Sequence, residues 1–568
     1  MEKRWTILPE YKSDSSLHKI LNIPVALSNI LHQRKIFSFE DARNYFNPSL
    51  NYLHDHWQMK DMEKAVLRIL QAIDKKERIL IYGDYDVDGT TSVACMYQFL
   101  SEIYDSEFLD FYIPNRYKEG YGIGISGIQY AISNDFTLII SLDCGIKSNE
   151  LVKTAKDLGI DFIICDHHLP DKEVPPAFAI LNPKQVDCNY PYKDLCGCGI
   201  GFKFICAISE RLGLPKEESF KYLDLVATAI AADIVPITGE NRILAHHGLQ
   251  KINTSPSPGI EAICEIAKAN KPLTITDVVF IIAPRINAAG RMDDARKVVH
   301  LFNCKEKIEA LEYAKLLQND NTERRETDKS ITLEAAQIIE SNTELKLKKT
   351  SVVYNNQWSK GVVGIVASRL IEQYYRPTIV LTKSGEFITG SARSVPGFNL
   401  YEAIHGCRDH LIAYGGHFAA AGLTLLPEKI NEFTNKFEEI VSETIDPEML
   451  VPKIIIDSEV FFSDITPAFY RTLCRMEPFG PNNMKPVFIS RDVINTGYSK
   501  LVKEDHLKLS VTQNGISFSG IGFNLKEKAP IVLSGKPFDI VYTLDENEWN
   551  GNKTLQMKVI DIRPSQKN

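Results

Sequence analysis

Residues 79–89 read ILIYGDYDVDG: a short apolar run, a glycine, then aspartate at every second position, 84, 86 and 88. Such a run, followed at once by the helix-forming stretch TTSVACMYQF (90–99), reads as a strand passing into a helix. The same unit recurs outward along the chain. Strand-like runs at Phe108–Ile113, Thr137–Leu142, Phe162–Cys165 and Phe178–Leu181 alternate with helical segments. That alternation predicts βα units and a mostly parallel sheet.

The position of the acids then becomes informative. Asp143 ends the run LIISLD, and Asp166, His167 and His168 follow FIIC. With Asp84, Asp86 and Asp88, they all fall at the carboxyl edge of a parallel sheet, where such folds bind ligands. Asp233 adds a carboxylate at the end of the apolar segment ATAIAADIVP (227–236), where burial demands a partner. Carboxylates crowded in this way repel one another unless cations neutralise them. Helix capping accounts for Asp88 or Asp166 singly, but not easily for Asp86, Asp143 and Asp233, each beside an apolar run. An EF-hand is excluded because position 12 of such a loop falls on Cys95 instead of glutamate. Several carboxylates with one or two imidazoles favour Mg²⁺ or Mn²⁺ over a thiolate zinc site. Two such ions, about 3.5–4 Å apart, suit phosphoester hydrolysis.

The remaining composition sets limits. A chain of 568 residues predicts three or four domains. A net charge of −8 argues against coating nucleic acid by bulk charge, though not against a local basic groove. The eleven cysteines do not form a disulfide framework, and Cys196 and Cys198 lack a second pair at zinc spacing. No stretch has signal-peptide or membrane-span character, so the expectation is a cytoplasmic protein without membrane contact. The expected domains are a helical N-terminal extension (1–60), a parallel-sheet α/β domain (61–250), a helical connector (251–348), a second α/β domain (349–450) and a small β-barrel (451–568).

The motifs DYDVDG, SLDCG (141–145), CDHH (165–168) and ATAIAADIVP, in this order, resemble the DHH phosphoesterase superfamily. The resemblance implies that Asp84, Asp86 and Asp143 hold one cation. Asp88, Asp143, His167 and Asp233 would hold a second, with Asp143 bridging. It also implies that His168 faces the phosphate and that Asp166 orients a neighbouring histidine. Later segments are similar to the RecJ family of single-stranded-DNA exonucleases: IPNRYKEGYG (113–122), PRINAAGRM (284–292), WSKGVVGIVASRL (358–370), GSARS (390–394), GGHFAAAG (415–422) and PFGPNNMKPVF (478–488). That similarity implies a DHH domain, a DHH-associated domain and an OB-type barrel. It further implies 5′-to-3′ hydrolysis of single-stranded DNA in repair and recombination, with two Mn²⁺ or Mg²⁺ ions, by a monomer working beside a helicase and a single-strand-binding protein.

By the same resemblance Arg116, Ser391 and Arg393 form a 5′-phosphate pocket, and Tyr121, Arg285, Asn287, Arg291 and His417 contact DNA. The residue types suit this, since guanidiniums are forked phosphate donors and tyrosine faces stack unpaired bases. Arg369 serves equally well as a structural ion pair, and Tyr117 as packing. Ser359, Ala392 and Asn482 depart from the pattern, which has histidine, glycine and glycine there. Two other readings stand beside this one. A phosphodiesterase of short oligonucleotides or cyclic dinucleotides would not need the barrel, and a scaffold that had lost its metals should show broken ligands. The tail from about Pro452 is expected to grip long strands and to be removable without loss of short-strand cleavage.

Overall fold

The computed structural model describes residues 2–10, 17–549 and 552–565. Parts of the expected N-terminal extension (1 and 11–16) and tail (550, 551 and 566–568) lie outside the described residues. The chain opens with a strand, β1 (Arg4–Ile7), so the N-terminal extension is not wholly helical. The first α/β domain then builds five strands: β2 (Arg78–Gly83), β3 (Leu109–Tyr112), β4 (Phe136–Leu142), β5 (Asp161–Cys165) and β6 (Ala179–Leu181). Their order is β3-β2-β4-β5-β6, and every pairing is parallel.

Both faces of this sheet are covered, which is why its strands read as unbroken apolar runs. Ile79, Ile81 and Ile163 join one core, while Leu80, Tyr82 and Ile164 join the core on the opposite face. The chain leaves β2 for β3 on one side, then returns to lay β4 on the other side of β2. The switch point therefore lies between β2 and β4, and it opens a crevice at their carboxyl ends.

The connector's helices do not form a separate body. Ile260, Ile286, Val298 and Leu317 belong to the core of the first domain. The 35-residue helix Lys307–Ser341 is roughly 50 Å long and gives Ala310, Ala314 and Leu317 to that core. Its far end gives Ile331, Ala335 and Ile339 to the second α/β domain. It is a strut shared by both domains. The second domain is a mixed sheet, β10-β11-β9-β8-β7, from β7 (Ser351–Tyr354), β8 (Thr378–Ser384), β9 (Phe387–Arg393), β10 (Ala413–Gly416) and β11 (Ala420–Leu425). Only β7 and β8 pair in parallel.

Beyond β12 (Lys453–Ile456) and β13 (Ser458–Glu459) comes the barrel: β14 (Phe488–Asn495), β15 (Lys500–Val502), β16 (His506–Gln513), β17 (Ile516–Gly522), β18 (Phe538–Trp549) and β19 (Asn552–Pro564). The order β14-β18-β19-β17-β16 closes on itself through β14 and β16, removing the free edges. This barrel is no detachable tail. β12 pairs with β1, and Leu27, Ile30 and Leu31 of helix Val25–Gln33 share its core. Deletion from Pro452 would strip those apolar faces of their cover, so the expected clean removal is not what the fold allows. Among the described residues, no helix is long and apolar enough to cross a membrane.

Candidate active site

The β2 turn shows why the aspartates alternate. Asp86 sits in extended backbone just before helix Val87–Ile103, and its side chain accepts the Gly89 N–H at 2.9 Å. The cap is therefore Asp86 and not Asp88, because a cap must precede the first helical residue. Gly89 is required: a Cβ there would lie 2.4 Å from the Asp84 carbonyl oxygen. Asp84 is fully buried; one oxygen accepts the Gly122 N–H at 3.3 Å, and Oδ2 has no partner. Asp88, the second residue of the helix, is buried too. Its two oxygens accept the N–H groups of Gly197 and Cys198, each at 2.7 Å, from the first turn of helix Gly197–Arg211.

Asp143 leaves β4 with φ at +60°, a left-handed conformation that aspartate tolerates better than most residues. It is 1% exposed, and its Oδ1 lies 3.1 Å from His167 Nε2 without accepting a hydrogen bond. The same imidazole nitrogen lies 3.5 Å from Asp233 Oδ2 and 3.9 Å from Asp88 Oδ2. Burial and the neighbouring His168 push His167 down to about 3. It is a neutral ring aimed at three carboxylates, not the cation of an ion pair. Burial first, then the other carboxylates, raises Asp88 to about 7 and Asp233 to about 9, and lifts Asp84 and Asp143 well above the carboxylate range. Orphaned buried oxygens, like-charge crowding and a neutral imidazole together fit divalent cations.

Two groups of potential ligands have donor atoms within 4.8 Å of one another: Asp88, His167 and Asp233, and Asp143, His167 and His168. His168 is set apart by its partners. Its Nδ1 lies 2.7 Å from Asp166 Oδ1, which also accepts the His168 backbone N–H at 3.0 Å. Burial opposes charge on both, but the hydrogen bond between them prevails. Asp166 falls to about 2 and His168 rises above its usual value. A carboxylate on Nδ1 favours the charged form of the ring and leaves Nε2 free to donate, which suits a phosphate contact. Tyr121 closes this side, its hydroxyl 3.3 Å from both His168 Nε2 and the Asp143 carbonyl oxygen.

Adjoining this centre through Tyr85, the residue between Asp84 and Asp86, is a cleft of about 450 Å³ lined by residues of both α/β domains, Tyr85, Arg116, Arg291, Lys360, Ser391 and Arg393 among them. Arg393 Nη1 donates to Ser391 Oγ at 2.8 Å, and Arg116 lies over the Tyr85 ring at 4.9 Å. Arg291 donates to the Gly361 carbonyl at 3.0 Å; burial, then Arg116, Arg324 and Arg393, lowers it to about 10. Among the described residues, no carboxylate pairs with Arg116, Arg291 or Arg393. Three converging guanidiniums without an acid make an anion site.

Not every expected contact gathers here. Arg285 is tied to Gln318 Oε1 at 2.8 Å in the seam with helix Lys307–Ser341, and half-buried Asn287 shares its helix; neither lines the cleft. His417 is exposed in the turn between β10 and β11, outside the cleft lining. Arg369 pairs with buried Asp328 at 2.8 Å, and Tyr117 donates its hydroxyl to the Arg291 carbonyl. Tyr85 and Lys360 were missed. The place of Tyr85 between two aspartates was a usable signal, as was that of Lys360 within WSKGVVGIVASRL. Two of the departures find a place in the fold, and nothing in the structure explains Ser359. Ala392 points into the core between outward Ser391 and Arg393, and Asn482 has φ at +59°, which explains why glycine suits that position.

Comparison with known proteins identifies the family. The model of the DHH family N-terminal domain matches residues 78–230, that of the DHHA1 domain residues 348–443, and that of the RecJ OB domain residues 456–561. The chain is 36% identical over 574 residues to the single-stranded-DNA-specific exonuclease RecJ of Bacillus subtilis, covering 99% of this chain and 71% of that one. Its identity to the exonuclease of the same name from Dickeya dadantii is 32% over 563 residues, 96% of each. The crystal structure of RecJ from Thermus thermophilus in complex with Mn²⁺ superposes with a TM-score of 0.85 at 25% identity, over 99% of this chain and 80% of that one.

Proposed function

This chain belongs to the RecJ family, and from that premise we propose that it degrades single-stranded DNA stepwise from a 5′ end, in DNA repair and recombination. It is a metal-dependent phosphodiesterase, and its cofactors are Mn²⁺ or Mg²⁺. The observation that carries the reading is the juxtaposition of two sites: Tyr85, set between Asp84 and Asp86 of a carboxylate centre suited to cations, also lines an acid-free arginine cleft contributed by both α/β domains.

We assign Asp84, Asp86 and Asp143 to one cation and Asp88, Asp143, His167 and Asp233 to the other. When bound there, the cations supply Lewis-acid activation and neutralise charge on the phosphate under attack. The chain's own residues do the rest. Asp166 favours the protonated form of His168 and orients its ring, so that Nε2 can donate to the scissile phosphate. Arg116, Arg291, Ser391 and Arg393 receive the terminal phosphate, so that the bond one nucleotide inward lies over the carboxylates. Tyr121 roofs the centre and offers its ring to the departing base.

An enzyme restricted to unpaired strands needs a helicase to open duplex, and a single-strand-binding protein shares its substrate. We propose that it acts as a monomer beside both. All eleven cysteines are free, which suits the reducing cytoplasm. A strand labelled at one end or the other, offered single and annealed, tests the reading. Mononucleotides should leave the 5′ label first, from the single strand alone, and only with Mn²⁺ or Mg²⁺ present. Release beginning at the 3′ label, or persisting in chelator, would refute it.

A further inference from the structure

Asp233 is placed differently from the other proposed ligands. It does not stand at the edge of the sheet but ends helix Leu223–Ala232 and opens a turn that runs to Thr238. Ile234 in that turn has φ at +59°, a conformation a β-branched residue keeps only when its surroundings hold it. The restraint comes partly from nearby: Asn241 Nδ2 donates to the Pro236 carbonyl at 3.1 Å. The rest comes from a segment more than two hundred residues away. Ile237 donates its N–H to the carbonyl of Pro481 at 2.8 Å. Gly480 packs so tightly against Ile237 that a Cβ there would lie 2.5 Å from Ile237 Cγ1.

Pro481 belongs to MEPFGPNNM (476–484), the loop through which the chain enters the barrel. This loop is gripped by the helix that follows the Asp233 turn. Arg242, in its first turn, is 4% exposed. One arm of its guanidinium donates to the carbonyls of Met476 and Pro478 at 3.0 and 3.2 Å, the other to those of Glu477 and Tyr45 at 2.8 and 3.0 Å. It also stacks over the Tyr45 ring at 4.0 Å. Asn483, 1% exposed, locks the loop internally, giving Nδ2 to Met476 and Pro478 and accepting the Tyr45 hydroxyl at 2.8 Å. Both terminal nitrogens of this buried guanidinium are bonded to backbone carbonyls, which fixes geometry and not only proximity, while its Nε has no partner.

We propose that the loop 476–484 is a positioning element of the metal centre: through Pro481, Gly480 and Arg242 it sets where Asp233 stands. The second cation site is then complete only while the barrel is docked. The barrel would act in assembling the catalytic centre as well as in holding the strand. This rests on the reading of Asp233 as a ligand, and the experiment separates the two.

Mn²⁺ binding to the metal-stripped full-length protein is followed by the electron paramagnetic resonance of free Mn²⁺, for Gly480→Val, Arg242→Met, Arg242→Lys and Asp233→Ala. Gly480→Val and Arg242→Met should weaken one of the two Mn²⁺ by roughly tenfold or more, the scale expected for groups that support a ligand. Saturating Mn²⁺ should restore turnover, and Arg242→Lys should fall between wild type and Arg242→Met. Unchanged Mn²⁺ binding in both, with weaker hold on long strands, would make the loop a mere tether and overturn the proposal. If Asp233→Ala itself leaves Mn²⁺ binding intact, the ligand assignment falls and takes the proposal with it. Should a variant fail to fold by circular dichroism, Gly480→Ala and Asn483→Ala put the same question more gently.

Discussion

Asp166 Oδ1 takes two hydrogen bonds from one residue: the His168 ring Nδ1 at 2.7 Å and the His168 backbone N–H at 3.0 Å. Its other oxygen accepts the Ile146 N–H at 2.9 Å, so the carboxylate is pinned on both sides. Ring angle and protonation of His168 therefore follow from Asp166. Asp166→Asn should lower kcat by about 10- to 100-fold, the worth of roughly one charge-assisted hydrogen bond. Mn²⁺ affinity should hardly change. Steady-state kinetics beside a Mn²⁺ titration decides this, and a parallel loss of metal would instead make Asp166 part of the ligand shell.

Asp143 is the residue the proposed metal sites share. Asp143→Ala should abolish turnover and leave DNA binding nearly intact, because the proposed strand contacts are spread over other residues of both α/β domains and the barrel. Single-turnover rates and filter binding measure the two separately. Activity within about tenfold of wild type, only ~1.4 kcal/mol of barrier, would rule out a bridging role.

The raised carboxyls predict how stability depends on pH. Asp88 and Asp233 sit near 7 and 9 in the metal-free fold, above their values in an unfolded chain. Such groups cost nothing while both states hold the proton. They destabilise the fold increasingly as pH climbs past the unfolded value, about 4, towards the folded ones. Cations displace those protons, so the rise in Tm on adding Mn²⁺ should be larger at about pH 8.5 than at about pH 6. Thermal melts in chelator and in Mn²⁺ test it, and an equal gain at both pH values would contradict a proton-linked site.

In the arginine cleft, Arg393 holds Ser391 while Arg116 reaches in from the opposite domain. A terminal phosphate carries more charge than an internal diester, so it should depend more on both guanidiniums. Arg116→Ala or Arg393→Ala should slow 5′-phosphorylated strands by about 10- to 100-fold, the equivalent of one such contact. On 5′-hydroxyl strands the loss should be much smaller. The check is kcat/KM for both ends in each variant. Equal slowing of the two substrates would assign these arginines to general backbone binding.

The first α/β domain was legible from the chain itself because its determinants are local. Apolar runs such as ILIY and FIIC form buried parallel strands wherever both faces are covered, and a parallel sheet brings every carboxyl end to one edge. Asp84, Asp86, Asp88, Asp143, Asp166, His167 and His168 thus fall together on the strength of the sequence pattern alone. What stayed hidden depends on contacts between residues far apart in sequence. No periodicity told that the Asp86 side chain, not that of Asp88, caps its helix, or that Arg285 turns into a helix seam while Arg291 turns into the cleft. Both arginines lie on one helix, and only the packing of its neighbours separates their roles. The tail read as an appendage because its strands and turns are complete in themselves. Its pairing with β1, its core shared with helix Val25–Gln33 and its loop against Ile237 and Arg242 arise from docking surfaces, which leave no pattern in the local sequence. Sequence determined which chemistry is present; tertiary structure decided which residues stand within about 4 Å of one another to perform it.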